Sequence, residues 1–441
     1  MLTPESVGKR VNLVGAGPVG SLLAIYLARR GFEIELFERR ADMRRGNVGS
    51  GRSINLAVST RGLHALREVG LEAEILKEAV QMRGRMIHSP TGELSFQPYG
   101  LDDYQCINSI SRGGLNMALM THAEKTGRVK INFSSKIENL GIFPDNQVVI
   151  GTDGSASAVR AELMKRPGFT ISQDMLDYGY KELVIPAAPG GGFALEKNAL
   201  HIWPRGTFML IALPNFDGSF TCTLFLPFKG LNSFERLRSP IEVYDFFERH
   251  FSDALPCIPD LEEDFFSNPT GQMVTVKCSP WHLEGRAMLL GDAAHAIVPF
   301  FGQGMNCGFE DCSILNDHMD RHRNWETLFS EVSRLRKGDA DAIADMAVEN
   351  FTEMRDKVGN QQFLLEKNVE KVLMTRFPGE YVSRYSLVTF SRLPYRLAYE
   401  AGVIQAEILG ELCRGLLSPD QVDLKKAAEL IRAKLAPILK G

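Results

Sequence analysis

The stretch that decides the fold is Arg10-Val11-Asn12-Leu13-Val14-Gly15-Ala16-Gly17-Pro18-Val19-Gly20, continued by Ser21 to Arg30. Arg10 to Val14 is a short apolar run and predicts a buried strand, while Val19 to Arg30 carries helical periodicity. Between them Gly15 to Gly20 spell G-x-G-x-x-G, and Glu33 to Glu38 follow as an alternating second strand. The unit is therefore βαβ. Gly15 permits the tight turn, Gly17 lets backbone amides approach a pyrophosphate on the helix N-terminus, and Gly20 permits close helix-sheet packing. Glu38, at the end of the second strand, can accept from ribose hydroxyls. This spacing indicates a dinucleotide and does not separate FAD from NAD.

Two further strands end at a similar corner. Gln147 to Gly151 meets Asp153-Gly154 and a helix from about Ala156 to Lys165, and Ala287 to Leu290 meets Gly291-Asp292. After the second of these, Pro299 to Asn306 leads into another helix. Asp292 suits either a ligand hydroxyl or a plain strand-end cap. The amides around Gly304, Met305 and Asn306 are suited to negative charge on a reduced isoalloxazine. His295 reads as a packed or hydrogen-bonded structural histidine, and Cys307 as packing.

From about Gly168 to Cys278, HIWPRGTFMLIALPN and SFTCTLFLPF are rich in β-branched, aromatic and apolar residues with Pro, Gly and Asn at their ends. They predict an antiparallel sheet inserted between parts of the first domain. From about Ser330 onward helical periodicity takes over. There is no internal repeat at solenoid periods and no low-complexity tract.

Composition bounds the function. A chain of 441 residues suits two or three domains, and 44% hydrophobic with 24% charged residues excludes disorder and coiled coils. Fifty Lys and Arg against 54 Asp and Glu leave a net charge of -4, without the basic excess that nucleic acid binding requires. Seven cysteines with no C-x-x-C pair suit neither a disulfide framework nor a zinc site, so no metal is expected and the compartment reads as reducing. Met1 to Lys9 has no apolar signal core, and glycines interrupt the uncharged Val11 to Ala28. The expectation is a cytoplasmic protein without a membrane anchor.

With its three fingerprints in order, Gly15 to Gly20, Asp153-Gly154 and Gly291-Asp292, the chain resembles the single-component flavin aromatic hydroxylases. GRSINLA at Gly51 to Ala57, MRGRMIH at Met82 to His88, HIWPRGTFMLIALPN at His201 to Asn215, VPFFGQGMNCGFED at Val298 to Asp311 and VTFSR at Val388 to Arg392 resemble the branch that hydroxylates L-kynurenine. The resemblance implies an α/β fold: a Rossmann-like FAD-binding domain (1–167 and 281–325), an inserted antiparallel β-sheet substrate domain (168–280) and a C-terminal helical region covering the substrate site (326–441). Residues 70–110 are expected to contribute to that site.

The same resemblance implies FAD contacts from Gly15, Gly17, Val19, Gly20, Phe37, Glu38, Arg39, Arg40, Ala57, Arg112, Asp153, Gly154, Asp292, Gly304, Met305 and Asn306, with Arg160 beside the second corner. Arg85 and Tyr99 match the pair that holds the substrate carboxylate, and Asn350 and Tyr385 match further substrate contacts, with Glu353 one helical turn from Asn350 as a further candidate. Leu200, Ile211, Phe225 and Phe301 would wall the aromatic ring, or serve as ordinary core. Two features depart from the pattern: the segment between Ile137 and Gln147 is short for the hairpin that precedes the second corner, and the membrane-anchoring tail of the animal enzymes is missing, as in a soluble bacterial-type form. The implied reaction uses NADPH and O2, passes through a flavin C4a-hydroperoxide, and needs no protein acid, base or nucleophile. A hydroxylase of another aromatic carboxylate and a non-catalytic FAD-binding protein are the alternatives. A homo-oligomer is compatible with either.

Overall fold

The computed structural model describes residues 1–46, 55–100, 102, 104–356 and 361–440, with the side chains of 354–356 and 440 excepted. The block Gly51 to Ala57 therefore lies outside the described residues as far as Ile54.

The opening strand Arg10–Val14 is buried from Val11 onward, as a central strand covered on both faces must be. It pairs in parallel with Glu33–Phe37 on one side and Val148–Gly151 on the other. Val129–Asn132 and Ala287–Leu289 extend the sheet outward, and a short antiparallel strand, His282–Leu283, closes the second edge. Taken along the chain, the five parallel strands stand in the order 3-2-1-4-5. The sequence order reverses between the first and fourth, so a crevice opens at their C-terminal ends, where such sheets bind ligands. Gly15, Glu38, Asp153 and Gly291 all follow strand ends on that side. The short segment before Val148 makes one 3-10 turn, Leu140–Ile142, and its Phe143 carbonyl accepts from Arg286 Nη2 at 2.8 Å.

A second sheet has seven strands, ordered Gly271–Ser279, Thr170–Ile185, Phe220–Pro227, Met209–Pro214, Ala199–Pro204, Gly84–His88 and Leu94–Pro98. The expected all-antiparallel pattern fails at one pairing: Gly84–His88 lies parallel to Ala199–Pro204. The reason is chain path, because Gly84–His88 arrives from the first part of the molecule rather than through a hairpin. One face of this sheet packs Leu183, Trp203, Leu210, Cys222 and Leu224 against helices Pro240–His250 and Leu261–Ser267. The first of these helices begins with a capping box, Ser239 with Glu242. The other face looks toward the crevice.

The C-terminal region is helical, led by Trp325–Asp356 and followed by Gln361–Arg376, Arg384–Phe390 and Tyr395–Leu412. Its apolar residues share one core with Val14, Val149, Leu289 and Phe225, so it rests on both sheets. No described helix is long and apolar enough to cross a membrane.

Candidate active site

The glycine turn distributes its three roles by geometry. A Cβ on Gly15, whose φ is +101°, would stand 2.6 Å from the Thr152 carbonyl, and one on Gly20 would stand 2.0 Å from the Gly15 carbonyl. Those positions are closed by the protein itself. A Cβ on Gly17 meets nothing within 4 Å, so its space is open. The amides of Gly17, Val19 and Gly20 find no acceptor among the described residues; the first helical bond runs from Ser21 to the Gly17 carbonyl. Open space beside unpaired amides at a twelve-residue helix N-terminus fits a pyrophosphate. Glu38 accepts from the amides of Ala16 at 3.1 Å and Arg40 at 2.9 Å, one to each carboxylate oxygen, which aims it over this turn. Phe37 stands edge-on to Phe143, while Arg39 and Arg40 are exposed beyond it.

A second helix N-terminus meets the first. A Cβ on Gly308 would lie 2.7 Å from Val19 and 3.3 Å from Gly291 Cα, so helix Gly304–Met319 approaches the glycine turn closely because position 308 has no side chain. The amides of Gly304, Met305 and Asn306 lack acceptors among the described residues, and the first used is Cys307, donating to the Gln303 carbonyl at 2.8 Å. Asp292 is exposed, and one of its oxygens lies 4.0 Å from the Cβ position of Gly304.

Three expected cofactor residues have other partners. The Asn306 side chain donates to the carbonyls of Ala57 at 2.8 Å and Gly302 at 2.9 Å and accepts from Ser59 N at 3.0 Å, which leaves only its backbone for a ligand. Asp153 accepts from Ser157 Oγ and from the amides of Ala158 and Val159, so its carboxylate caps helix Ala158–Leu163, and Gly154 turns the chain at φ +84°. Arg160 donates to the Ala293 carbonyl at 2.8 Å and ties that corner to the third one. Arg112 is exposed and stands near Tyr180 and Glu182 of the second sheet. Burial raises the pKa of the Glu182 carboxyl, and Arg112 opposes that shift.

The substrate candidates are gathered by strand register. Leu200 pairs with Arg85, Ile202 with Ile211, Ile211 with Thr223, and Met209 with Phe225. Since side chains alternate, Arg85, Leu200, Ile211 and Phe225 stand on one face, although 140 positions separate the first from the last. Tyr99 donates its amide to the Arg83 carbonyl at 3.0 Å, which brings its ring beside Arg85. From the other side, helix Arg384–Phe390, capped by Ser383, delivers Tyr385. The two tyrosine rings lie nearly parallel, 16° apart with centroids at 5.6 Å, and the Arg85 guanidinium carbon is 5.7 Å from the first and 5.0 Å from the second. Phe301 stacks on the far side of Tyr385 at 5.7 Å.

Arg85 Nε is buried and has no hydrogen-bond partner among the described residues. Burial works against its charge, but the flanking tyrosines more than offset this, and its pKa lies above the ordinary value. Burial raises both phenols above their usual value, Tyr99 well above it, so they stay protonated. Arg85 is thus a buried cation between two neutral phenols, an arrangement whose chemistry suits a carboxylate. Asn350 donates to the Phe300 carbonyl at 2.7 Å and holds the turn that carries Phe301. The Glu353 carboxylate stands 3.5 Å from Lys367 Nζ.

Register also brings in Leu213 and Thr223, which sequence reasoning missed. Leu213 packs with Tyr99, Leu200 and Ile211, and Thr223 faces Ile211. The alternation inside Met209 to Pro214 and Phe220 to Pro227 is the signal that could have found them.

Comparison with known proteins fits this geometry. Residues 9–162 and 244–320 match the FAD binding domain family. A relative named kynurenine 3-monooxygenase from Myxococcus xanthus (strain DK1622) is 61% identical, covering 98% of this chain and 96% of its own. The chain belongs to the kynurenine 3-monooxygenase family. A second kynurenine 3-monooxygenase, from Xanthomonas oryzae pv. oryzae (strain KACC10331 / KXO85), is 45% identical over 98% of both chains. Among solved structures, the tetrameric form of 2-methyl-3-hydroxypyridine-5-carboxylic acid oxygenase superposes with a TM-score of 0.65 at 20% identity, covering 81% of this chain and 95% of the other, and shares the fold. This member of the kynurenine 3-monooxygenase family is an FAD-dependent aromatic monooxygenase.

Proposed function

We propose that this enzyme hydroxylates L-kynurenine to 3-hydroxy-L-kynurenine with NADPH and O2. The observation that carries the reading is Arg85, a buried cation with an unpaired Nε, held between Tyr99 and Tyr385 on a face that also carries the apolar side chains of Leu200, Ile211 and Phe225. Such a face suits a flat aromatic ring with a carboxylate at the far end of a short side chain.

When bound, FAD supplies the electron transfer from NADPH and the activation of O2. The residues of this chain bind and orient. Amides of Gly17, Val19 and Gly20 receive the pyrophosphate, Glu38 the ribose, and the amides from Gly304 to Asn306 the electron-rich end of the ring system. Arg85 and the two tyrosines hold the substrate carboxylate. Leu200, Ile211, Phe225 and Phe301 position the aromatic ring and exclude water, which protects a reactive oxygen species from loss to solvent. The ring amino group already activates the carbon beside it, so no side chain need take a proton first.

The test is NADPH consumption by the purified yellow protein, screened with L-kynurenine against hydroxybenzoates, with product identified by mass. Stoichiometric 3-hydroxykynurenine is the expected result. Turnover of a hydroxybenzoate and not of L-kynurenine would transfer the assignment to another aromatic carboxylate.

A further inference from the structure

On the face of the second sheet opposite the substrate runs a buried polar chain. Trp203 Nε1 donates to Asp253 Oδ2 at 2.8 Å, and His88 Nδ1 lies 2.7 Å from the same oxygen. His88 Nε2 lies 2.9 Å from His201 Nδ1, and His201 Nε2 lies 2.8 Å from the Glu196 carbonyl. Both imidazoles are buried, and the His88 ring stacks on Trp203 with centroids 3.9 Å apart.

The hydrogens along this line can be counted. Three contacts join the carboxylate, two imidazoles and a carbonyl, and each needs one ring hydrogen because the oxygens at the two ends accept. Two neutral imidazoles carry only two. The line is complete with a third hydrogen, which makes His88 an imidazolium; Asp253 Oδ2, already accepting from Trp203, is the poorer place for it. With two hydrogens one contact is left open. The carboxylate, the strongest acceptor, keeps its hydrogen, and the two buried imidazoles are held 2.9 Å apart by paired strands whereas Glu196 lies on an exposed turn that can move away, so the contact that opens is His201 to Glu196.

That contact leads to the substrate. Asn198 N donates to Glu196 Oε1 at 2.9 Å, closing a turn, and Asn198 Nδ2 donates to the Gln81 carbonyl at 2.7 Å. The Asn198 carbonyl accepts from Arg83 N at 2.8 Å, and the Arg83 carbonyl accepts from Tyr99 N at 3.0 Å. The Glu196–Asn198 turn therefore fixes the backbone from which both Arg85 and Tyr99 project.

We propose that Asp253, His88 and His201 form a proton-dependent brace that positions the Arg85–Tyr99 clamp, closed when the line carries three ring hydrogens and open at the Glu196 end when it carries two. This rests on the reading of Arg85 and Tyr99 as the carboxylate clamp. His88 is faced by Asp253, His201 and Arg205, and His201 by His88 and Glu196. Burial pulls the pKa of His88 below its ordinary value, Asp253 opposing and Arg205 reinforcing, and burial pulls His201 down to about 4. The closed brace thus fills as pH falls through a value below the usual histidine value of about 6.5 and is lost as pH rises through it.

The test measures the dissociation constant of L-kynurenine for the oxidised, FAD-loaded enzyme by flavin absorbance, without NADPH, at about pH 7.5 and about pH 5.5, on either side of the histidine range. Binding about two- to tenfold tighter at the lower pH is expected, the worth of roughly one net hydrogen bond. His88→Gln should give one constant at both pH values, while His250→Gln, outside the line, should keep the wild-type response. A wild-type constant that does not move, or a response that survives in His88→Gln, overturns the proposal. Proton-nitrogen spectra of the wild-type imidazoles supply a second measurement that needs neither variant nor ligand. Three ring hydrogens on the His88–His201 pair at the lower pH and two at the higher are expected, and two at both overturns the brace. If L-kynurenine fails to bind at either pH, the substrate assignment falls and this count alone decides the brace.

Discussion

At the residue scale the sharpest contrast is between glycines of one motif. Gly17 faces open space and Gly20 faces the Gly15 carbonyl at 2.0 Å from its Cβ position. Gly17→Val should therefore fold and remain colourless, whereas Gly20→Val should lose stability itself; flavin-to-protein absorbance ratios and thermal denaturation of the FAD-free proteins separate the two. Arg85 offers a second test. Removing a charged hydrogen-bond donor from a buried site costs about 1.5 to 3 kcal/mol, so Arg85→Ala should weaken L-kynurenine binding by roughly ten- to a hundredfold while FAD stays bound. Tyr99→Phe should cost less. Titration with kynurenine and with its decarboxylated analogue checks this, because equal losses for both would mean that Arg85 acts on the fold rather than on the carboxylate. The placement of Arg85 beside Tyr99 and of the fingerprint glycines at the first turn agrees with their motifs. The contacts of Asn306 and Cys307 were not legible, since their partners lie on distant elements, whereas Asp153 is held locally by Ser157, Ala158 and Val159. Cys307, read as packing, has its sulfur 3.3 Å from Arg336 Nη2 and 3.8 Å from His295 Nδ1.

At the scale of elements, the site depends on two helix N-termini brought together. Val19 and Gly308 are the point of contact, and a methyl group at position 308 would stand 2.7 Å from Val19 Cγ2, which must then move. Overpacking of this kind costs about 1 to 3 kcal/mol, so Gly308→Ala should bind FAD more weakly without unfolding. FAD titration into the cofactor-free protein measures it, and unchanged affinity would mean the helix spacing is not critical. Strand and helix positions followed from periodicity: Arg10–Val14, Glu33–Phe37 and Ala287–Leu289 lie where the apolar runs stand. The expected helix from about Ala156 to Lys165 is shorter, Ala158–Leu163, because Asp153 and Ser157 cap it later than the pattern suggests. The parallel pairing of Gly84–His88 could not be read locally, since its partner is more than a hundred residues away.

At the scale of the whole molecule, a buried ion network joins the parts. Arg61 pairs with Glu310 and donates to the Leu393 carbonyl, Arg336 bridges Glu310 at 2.8 Å and Asp311 at 2.7 Å, and His295 Nε2 meets Asp311 at 2.6 Å. Helix Thr60–Glu68, helix Gly304–Met319, the third corner and the C-terminal helices are thereby tied around the flavin site. Asp311→Asn would leave His295 without its buried carboxylate and remove one of the partners of Arg336, which keeps Glu310, and should cost about 3 to 5 kcal/mol, read as a lower urea midpoint. The network also predicts a pH response. Burial opposes the Asp311 charge, but His295 and Arg336 hold its carboxyl below the usual range, so its contribution is present at neutral pH and is lost only as pH falls through that lowered value. Burial likewise opposes the His295 charge, yet Asp311 and Cys307 raise its pKa well above the ordinary value. Its contribution is full below about 6.5 and is lost as pH rises through the raised value. Thermal midpoints should fall on the alkaline side in the wild type and fall less in His295→Gln; parallel curves would remove His295 as the cause.

What the sequence by itself determined was what neighbours along the chain can specify: the glycine turn, its helix and acid, the three corners, the alternating strands and the helical C-terminal third. These are encoded within a few residues, where propensity, period and backbone freedom act. Only the tertiary structure decided that Arg85, Leu200, Ile211 and Phe225 share one sheet face with Tyr385 against Arg85, that Asn306 spends its side chain on the scaffold, and that His295 and Cys307 belong to a charged network. Those outcomes depend on register and on packing between distant elements. The free energy of a buried charge is set by what lies beside it in space, which the order of residues does not list.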